Sequence, residues 1–361
     1  MALGLFWASA CLCIFIAFLA ADIMGLFSRK NHFDVDGRTI LLTGGSQGMG
    51  RGLAKLLAEK GANIVIVARN QQKLDEALSY ISSAAKNPQT QRFHVISADM
   101  TKPEENARIL SETTAWNHGN PPDIVWANAG VSVPTLFIDT PLETLRSQMD
   151  INYWAATYLA HATLRLWLKP TSSKTDTPNE ANPPAQPRHF IMTSSVVSFC
   201  GLAGYAPYSP AKSALRSLAD TLRSELNMYN AYRRSHPTAG PSADIQIHCV
   251  VPGTITSPGH SQEQELKHPV TKVLEESDPA QTEDEVALAS VKGLERGEYL
   301  ITTQWLGNLM RVGMLGGSPR NNWFLDTVLS WIVSFAWLFI GPDMEGKVWD
   351  WGKKNEVKLP S

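Results

Sequence analysis

The sequence predicts an α/β protein built on a doubly wound parallel sheet, with an N-terminal transmembrane helix and a C-terminal membrane-associated segment. Three observations indicate this architecture. From residue 38 onward, short β-branched runs alternate with longer amphipathic stretches, which is the pattern of βαβ units. A glycine-rich turn follows the first run. Apolar stretches with few charges lie near both ends of the chain.

The predicted strands are short buried runs, and helical patterns such as GLAKLLAEKG separate them. The runs are ILLTG from Ile40, IVIVAR from Ile64, FHVIS from Phe93, DIVWANAG from Asp123, FIMTSS from Phe190, IQIHCVVPG from Ile245 and YLIT from Tyr299. Ligands of such Rossmann-type sheets bind beyond the carboxyl ends of the strands. We expect one ligand-binding domain over residues 36–303, with an exposed proline-rich insert at 169–188.

The overall charge and the cysteines exclude two classes of function. A formal net charge of −2 provides no basic field for nucleic acid. The four cysteines, Cys11, Cys13, Cys200 and Cys249, show no metal-ligand spacing. We therefore expect a reduced compartment, no nucleic-acid partner and no metal site.

The N-terminal stretch is the predicted membrane anchor, assigned to residues 1–24. Residues 2–21 carry no charged side chain, which matches the length of a helix that crosses a bilayer. A cleaved signal peptide is the alternative, but no basic residue precedes Arg29. Because Arg29 and Lys30 follow the run, the large domain is expected in the cytosol.

The C-terminal segment, residues 304–361, contains a shorter apolar run, Val328 to Ile340. Five tryptophans in the last forty residues are typical of a chain that meets a membrane interface. An interfacial or re-entrant helix is at least as compatible with this run as a crossing helix, and a buried core helix remains an alternative.

The glycine-rich turn predicts a dinucleotide site. It spans Thr43 to Gly50, between a strand and an amphipathic helix. Glycines let main-chain N–H groups approach a phosphate at a helix N-terminus, although many such turns only cap helices. The spacing is G-x-x-x-G-x-G, and the candidate cofactor residues are Gly44, Ser46, Gln47, Gly48 and Gly50.

Positive charge after the second strand predicts NADP rather than NAD. Arg69 and Lys73 stand where an NAD enzyme usually has an acid for the ribose hydroxyls. Asp99, after the third strand, either accepts a hydrogen bond from adenine or caps the next helix. Asn128 ends the fourth strand, where its amide can tie neighbouring strands together.

The stretch from Ser195 to Lys212 carries the candidate chemistry. Tyr208 and Lys212 are four residues apart, so they share one face of a helix. An ammonium beside a phenol favours the phenolate, and we expect it to lower the pKa of Tyr208 toward the range of a general acid. Ser195 follows the fifth strand. Tyr and Lys at this spacing also occur by chance on solvated helices.

The motifs together resemble those of the short-chain dehydrogenases/reductases from about Asp36 to Thr303. The motifs on which this resemblance rests are TGGSQGMG, the NAG at Asn128, Ser195, the YxxxK of Tyr208 and Lys212, and Pro252 with Gly253. The resemblance implies that Tyr208 donates a proton to a carbonyl oxygen that Ser195 holds. It implies that Lys212 contacts the nicotinamide ribose and that Asn152 positions a water. A homodimer through the helices carrying Asn152 and Tyr208 is also implied.

Within this superfamily the chain is most similar to the 3-ketodihydrosphingosine reductases. The similarity lies in VARN with Lys73, in the apolar C-terminal segment, in the strand at 297–302, and in Pro258, Gly259, Glu263, Glu265 and Lys267 after Pro252. It implies NADPH, a long-chain lipid ketone, the endoplasmic reticulum membrane with a cytosolic catalytic domain, and a substrate lid at about 254–274. The alternatives are another membrane-anchored reductase or dehydrogenase for a steroid, retinoid or fatty acyl carbonyl, and a scaffold or lipid-binding protein that retains the fold.

Overall fold

The computed structural model describes residues 30–170, 186–236, 240–276 and 278–356. The predicted anchor at 1–24 and most of the predicted insert at 169–188 lie outside these residues, so both stay predictions.

The described chain forms a seven-stranded sheet in which every strand pairing is parallel, as predicted. The strand order is β3-β2-β1-β4-β5-β6-β7. The strand order reverses between β1 and β4, which is where doubly wound sheets bind ligands. The strands are β1 (Thr39–Thr43), β2 (Asn63–Ala68), β3 (Phe93–Ser97), β4 (Ile124–Ala127), β5 (Arg188–Thr193), β6 (Ile245–Val251) and β7 (Leu300–Thr302).

Helices connect the strands. In chain order they are α1 (Gly48–Glu59), α2 (Gln71–Ser82), α3 (Pro103–Trp116), α4 (Leu142–Met149), α5 (Ala155–Trp167), α6 (Ser209–Ser235), α7 (Pro258–Leu266), α8 (Pro269–Leu274), α9 (Glu283–Glu295), α10 (Trp305–Gly313) and α11 (Trp323–Lys354). A π-helical turn, Asp150–Trp154, joins α4 to α5.

Two buried clusters, one for each face of the sheet, form the core. Along β1, Ile40 and Leu42 belong to one cluster and Leu41 to the other, because successive strand side chains point to opposite faces. Helices α1 and α9 pack together on the Ile40 face. Helices α5 and α6 contribute to the other cluster. Because both faces are covered, the strands read as continuous apolar runs in the sequence.

The C-terminal apolar run is one long helix, α11. It is longer than the run Val328 to Ile340 suggested, and Pro342 lies within it. By length and composition it could cross a membrane, and 6% of its most apolar window is buried. The alternative of a buried core helix is therefore wrong. Its first turn is held to α10 by a buried ion pair in which Arg311 Nη2 lies 2.7 Å from Asp326 Oδ1.

Candidate active site

A cavity of about 840 Å³ opens at the carboxyl ends of the strands. The loops after β1, β2, β4, β5 and β6 form most of its wall, and residues of α7, α10 and α11 also line it. The predicted residues that line it are Gly44, Ser46, Gln47, Gly48, Gly50, Arg69, Lys73, Asn128, Ser195, Tyr208, Lys212, Pro252 and Gly253. The fold thus brings residues more than 200 positions apart into one site.

The glycine-rich turn has a backbone that only small residues allow. Gly44 has φ of 69°, which side chains disfavour. A Cβ on Gly50 would lie 2.1 Å from the Gly44 carbonyl oxygen, so the start of α1 must be glycine for the turn to fold against it. The turn therefore presents bare main chain to the cavity. This cradle fits the phosphates of a dinucleotide.

Positive charge lies beside this turn. Arg69 lies between β2 and α2, and Lys73 is in the first turn of α2. Lys73 Nζ donates a hydrogen bond to Gln47 Oε1 at 3.2 Å, which joins α2 to the glycine-rich turn. Both cations line the cavity, as an added ribose phosphate would require.

Asp99 and Asn128 have different positions. Asp99 Oδ1 accepts hydrogen bonds from the N–H and hydroxyl of Thr101, at 3.1 and 2.8 Å, and Asp99 does not line the cavity. Asn128 does line it, and its Oδ1 accepts from the Thr193 hydroxyl at 3.1 Å, which links β4 to β5. The predicted strand-tying role of Asn128 is thus confirmed.

The candidate proton-transfer groups converge at the end of β5 and the start of α6. Tyr208 is the N-cap residue of α6, and Ser195 precedes a short 3-10 turn after β5. The Ser195 hydroxyl lies close enough to Tyr208 to lower the pKa of its phenol. Lys212 is buried, and its Nζ donates to the Thr193 carbonyl at 2.9 Å and lies 5.5 Å from the Tyr208 ring centroid. A carbonyl oxygen at this point would meet two hydroxyl donors.

The structure corrects the predicted pKa of Tyr208. Burial and the carboxylate of Glu263 raise this pKa above the usual value of tyrosine, and the nearby Ser195 hydroxyl only partly offsets them. The neighbouring Lys212 is not a cause of the shift, and burial lowers the pKa of its own ammonium to about 8. A raised pKa keeps the phenol protonated near neutral pH, and this is the form that donates a proton.

Asn152 lies in the π-helical turn, behind the cavity wall. Its Oδ1 accepts from the Val131 N–H at 3.1 Å, and its Nδ2 donates to the Val131 carbonyl at 2.8 Å. A Cβ on Gly130 would lie 2.8 Å from Asn152 Oδ1 and 3.1 Å from Lys212 Nζ. Asn152 and Lys212 therefore approach each other around Gly130, and the role of Asn152 in a proton relay stays a prediction.

A group of four residues lies next to Tyr208; Glu263 and Lys267 belong to the predicted lid at about 254–274, whereas Tyr205 and Glu275 were not predicted as part of the site. We call Tyr205, Glu263, Lys267 and Glu275 the lid cluster. The Tyr205 hydroxyl lies 2.7 Å from an oxygen of each glutamate, and Lys267 Nζ lies 3.2 Å from Glu263 and 2.6 Å from Glu275. In the sequence, the four-residue spacing of Glu263 and Lys267 is a signal of their contact, whereas nothing nearby indicates the contacts of Tyr205 and Glu275.

Helix α11 forms an apolar wall that was also not predicted. Val333, Trp337 and Ile340 line the cavity from this helix. Large side chains on other sides of the helix face outward, including Trp331, which is 70% exposed. One helix thus joins an exposed apolar surface to the interior of the site.

Comparison with known proteins gives a consistent result. The family described as short chain dehydrogenase matches residues 38–267. The 3-ketodihydrosphingosine reductase ksrA of Aspergillus fumigatus is 50% identical over 350 residues, which cover 97% of this chain and 93% of the relative. The 3-ketodihydrosphingosine reductase gsl-3 of Neurospora crassa is 43% identical and covers 92% and 87%.

A solved structure supports the fold. A short chain dehydrogenase/reductase from Burkholderia phymatum, in complex with NAD, superposes with a TM-score of 0.60 at 15% identity. The superposition covers 78% of this chain and 94% of that protein.

Proposed function

The chain belongs to the short chain dehydrogenase family, and on that premise we propose that it reduces 3-ketodihydrosphingosine to dihydrosphingosine with NADPH. It is an oxidoreductase that uses a nicotinamide cofactor. The observation that carries the proposal is the convergence of Ser195, Tyr208 and Lys212 on one cavity in a chain 50% identical to a 3-ketodihydrosphingosine reductase.

The chain's own groups deliver the proton. Ser195 and Tyr208 donate hydrogen bonds to the ketone oxygen, which becomes negatively charged as the carbonyl is reduced. Tyr208 transfers its phenolic proton to that oxygen, which completes the alcohol. Lys212, held by the Thr193 carbonyl, stabilises the resulting phenolate, and the contacts around Gly130 connect it to Asn152.

The cofactor, when bound, supplies the hydride. The glycine-rich turn would hold its phosphates by main-chain N–H groups, and Pro252 and Gly253 also line the cavity. The apolar wall formed by α11 would exclude water from the reacting carbonyl and contact the alkyl chain of the substrate.

NADPH is proposed over NADH because Arg69 and Lys73 line the cavity next to the glycine-rich turn. Replacing Arg69 by Ser should raise the KM for NADPH about tenfold or more and change that for NADH little, since one charge-assisted contact contributes about 1.5–3 kcal/mol. Equal effects on both cofactors would contradict this assignment. Arg92 offers the matched control, because its guanidinium lies away from the cavity, against Trp116.

The function is tested by assaying purified protein with NADPH and 3-ketodihydrosphingosine and identifying the product by chromatography. Tyr208→Phe keeps the ring but removes the proton, so turnover should fall at least about a hundredfold while cofactor binding persists. A panel of steroid, retinal and fatty acyl carbonyls provides the contrast. Turnover of one of these in preference to the sphingoid ketone would refute the proposed substrate.

Location and assembly are also proposals. The exposed apolar surface of α11 fits association with a membrane. We place the protein at the endoplasmic reticulum membrane with a cytosolic catalytic domain, and protease protection in sealed microsomes tests this orientation. A homodimer through α5 and α6 is expected from the family, and crosslinking between cysteines introduced on these helices would detect it.

A further inference from the structure

The lid cluster places negative charge beside the reacting carbonyl. We propose that Glu263 binds the ammonium group of the substrate, on the carbon next to the ketone, and so selects amino ketones over plain ketones. This inference rests on the proposed function and assigns a contact to one part of that substrate.

The charges of the lid cluster do not balance. Two carboxylates, Glu263 and Glu275, share the single ammonium of Lys267, whose side chain is 1% exposed. The ammonium lies closer to Glu275, at 2.6 Å, than to Glu263, at 3.2 Å. Glu263 is therefore the less neutralised carboxylate, and it lines the cavity. A partly buried carboxylate is stabilised by a second cation.

The other lysines and the arginine that line the cavity are committed elsewhere, and His260 Nε2 lies 3.2 Å from Gln264 Nε2. Lys347 is paired with Asp343 at 2.9 Å, and Lys212 is held by a backbone carbonyl. Arg69 and Lys73 lie beside the glycine-rich turn, at the cofactor end. Among the described residues, none of these four forms an ion pair with Glu263. The missing cation would therefore come from the ligand.

A separate observation on this wall also indicates a ligand with hydrogen-bond donors. Gln304 lines the cavity, and its Oε1 is buried without a partner among the described residues. Its Nε2 donates to Asp278 Oδ1 at 3.3 Å. The unpaired Gln304 Oε1 and the Asp278 carboxylate therefore lie close together. The substrate carries an ammonium on the carbon next to its ketone and a hydroxyl on the carbon after that. Both are donors, as this wall requires.

Glu263 lies near Tyr208, where an ammonium on the carbon next to the ketone would be placed. Its Oε1 lies 2.7 Å from the Tyr205 hydroxyl, and the Tyr205 ring centroid lies 6.2 Å from that of Tyr208. The carboxylate is close enough to raise the pKa of Tyr208. A substrate ammonium at Glu263 would offset this effect, so an amino ketone would make Tyr208 a stronger proton donor at the moment of reaction.

The test compares two ketones: 3-ketodihydrosphingosine and the same molecule with hydrogen in place of the amino group. For the wild-type protein we expect kcat/KM to be about ten- to a hundredfold higher for the amino ketone, the value of one charged hydrogen bond. Glu263→Gln should remove this preference by slowing the amino ketone alone. Glu265→Gln is the matched control, because Glu265 lies on the exposed side of the same helix.

The outcomes separate the inference from the proposed function. Equal kcat/KM for both ketones in the wild type, or an equal loss for both in Glu263→Gln, would overturn the role of Glu263 and leave the reductase activity standing. Reduction of neither ketone by the wild type would refute the proposed function itself. If Glu263→Gln does not fold, the wild-type comparison of the two ketones decides alone.

Discussion

A buried histidine pair in the sheet predicts that acid destabilises the protein. His248 Nδ1 donates to the Glu298 carbonyl at 2.7 Å, and His248 Nε2 accepts from His189 Nδ1 at 3.1 Å. This arrangement leaves His189 Nε2 buried without a partner among the described residues. Neither ring can take up a second proton without placing a charge in the core. Burial accordingly lowers the pKa of His248 from 6.5 to about 4 and that of His189 well below 6.5.

The magnitude follows from the two pKa values of His248. Above the unfolded pKa of 6.5 both states are neutral and the full stability is present. As the pH falls toward 4, the unfolded state binds a proton that the folded state does not, so the free energy of unfolding decreases. For this one residue the loss between about pH 7.5 and about pH 5 is ~2 kcal/mol. His189 adds to it in the same direction.

The assay is urea unfolding in detergent at these two pH values, followed by tryptophan fluorescence. In His248→Asn the amide can still donate to the Glu298 carbonyl but does not titrate. We expect the loss of stability in acid to be smaller than in the wild type by ~2 kcal/mol, whatever the variant's absolute stability. His118→Asn is the matched control, because His118 is exposed and its φ of 57° suits asparagine. If the wild type and His248→Asn lose the same stability in acid, the reasoning is refuted.

Three further predictions concern the site and its wall. Gly50→Ala should weaken cofactor binding about ten- to a hundredfold, because the new Cβ displaces the glycine-rich turn at a cost of about 1–3 kcal/mol. A cofactor titration that shows unchanged affinity would contradict the proposal that this turn binds the phosphates. Asp326→Asn leaves Arg311 buried without its counterion, so the free energy of unfolding should fall by about 3–5 kcal/mol. The control Asp343→Asn breaks an exposed ion pair, and the same unfolding measurement should show a loss of less than about 1 kcal/mol. Ser195→Ala should lower kcat about a hundredfold with little change in the KM for cofactor, and an unchanged kcat would remove Ser195 from the mechanism.

The strands and the catalytic spacing could be predicted because both are local. A parallel strand covered on both faces must be apolar along its length, so each strand is visible as a short continuous run. Tyr208 and Lys212 share a helix face because they are four residues apart, wherever α6 packs in the fold. Ser195 and the glycine-rich turn were placed in the site because the carboxyl ends of parallel strands meet at one edge.

The lid cluster and the raised pKa of Tyr208 could not be predicted in the same way. Tyr205 and Glu275 are 70 positions apart, and their contact depends on how α7 and α8 fold back over the start of α6. The pKa of Tyr208 depends on burial and on Glu263, whereas the sequence indicated only the neighbouring Lys212. The position of α11 against the cavity likewise depends on the buried pair of Arg311 and Asp326.

The sequence by itself determined the order of the strands along the chain, the glycine-rich turn and the serine, tyrosine and lysine of the site, since each is set by side chains within a few positions of one another. Only the tertiary structure decided which charges surround the phenol and which helix forms the wall of the cavity. The physical reason is that electrostatic and apolar contacts depend on distance and solvent exposure in three dimensions, and neither quantity is a property of neighbouring residues.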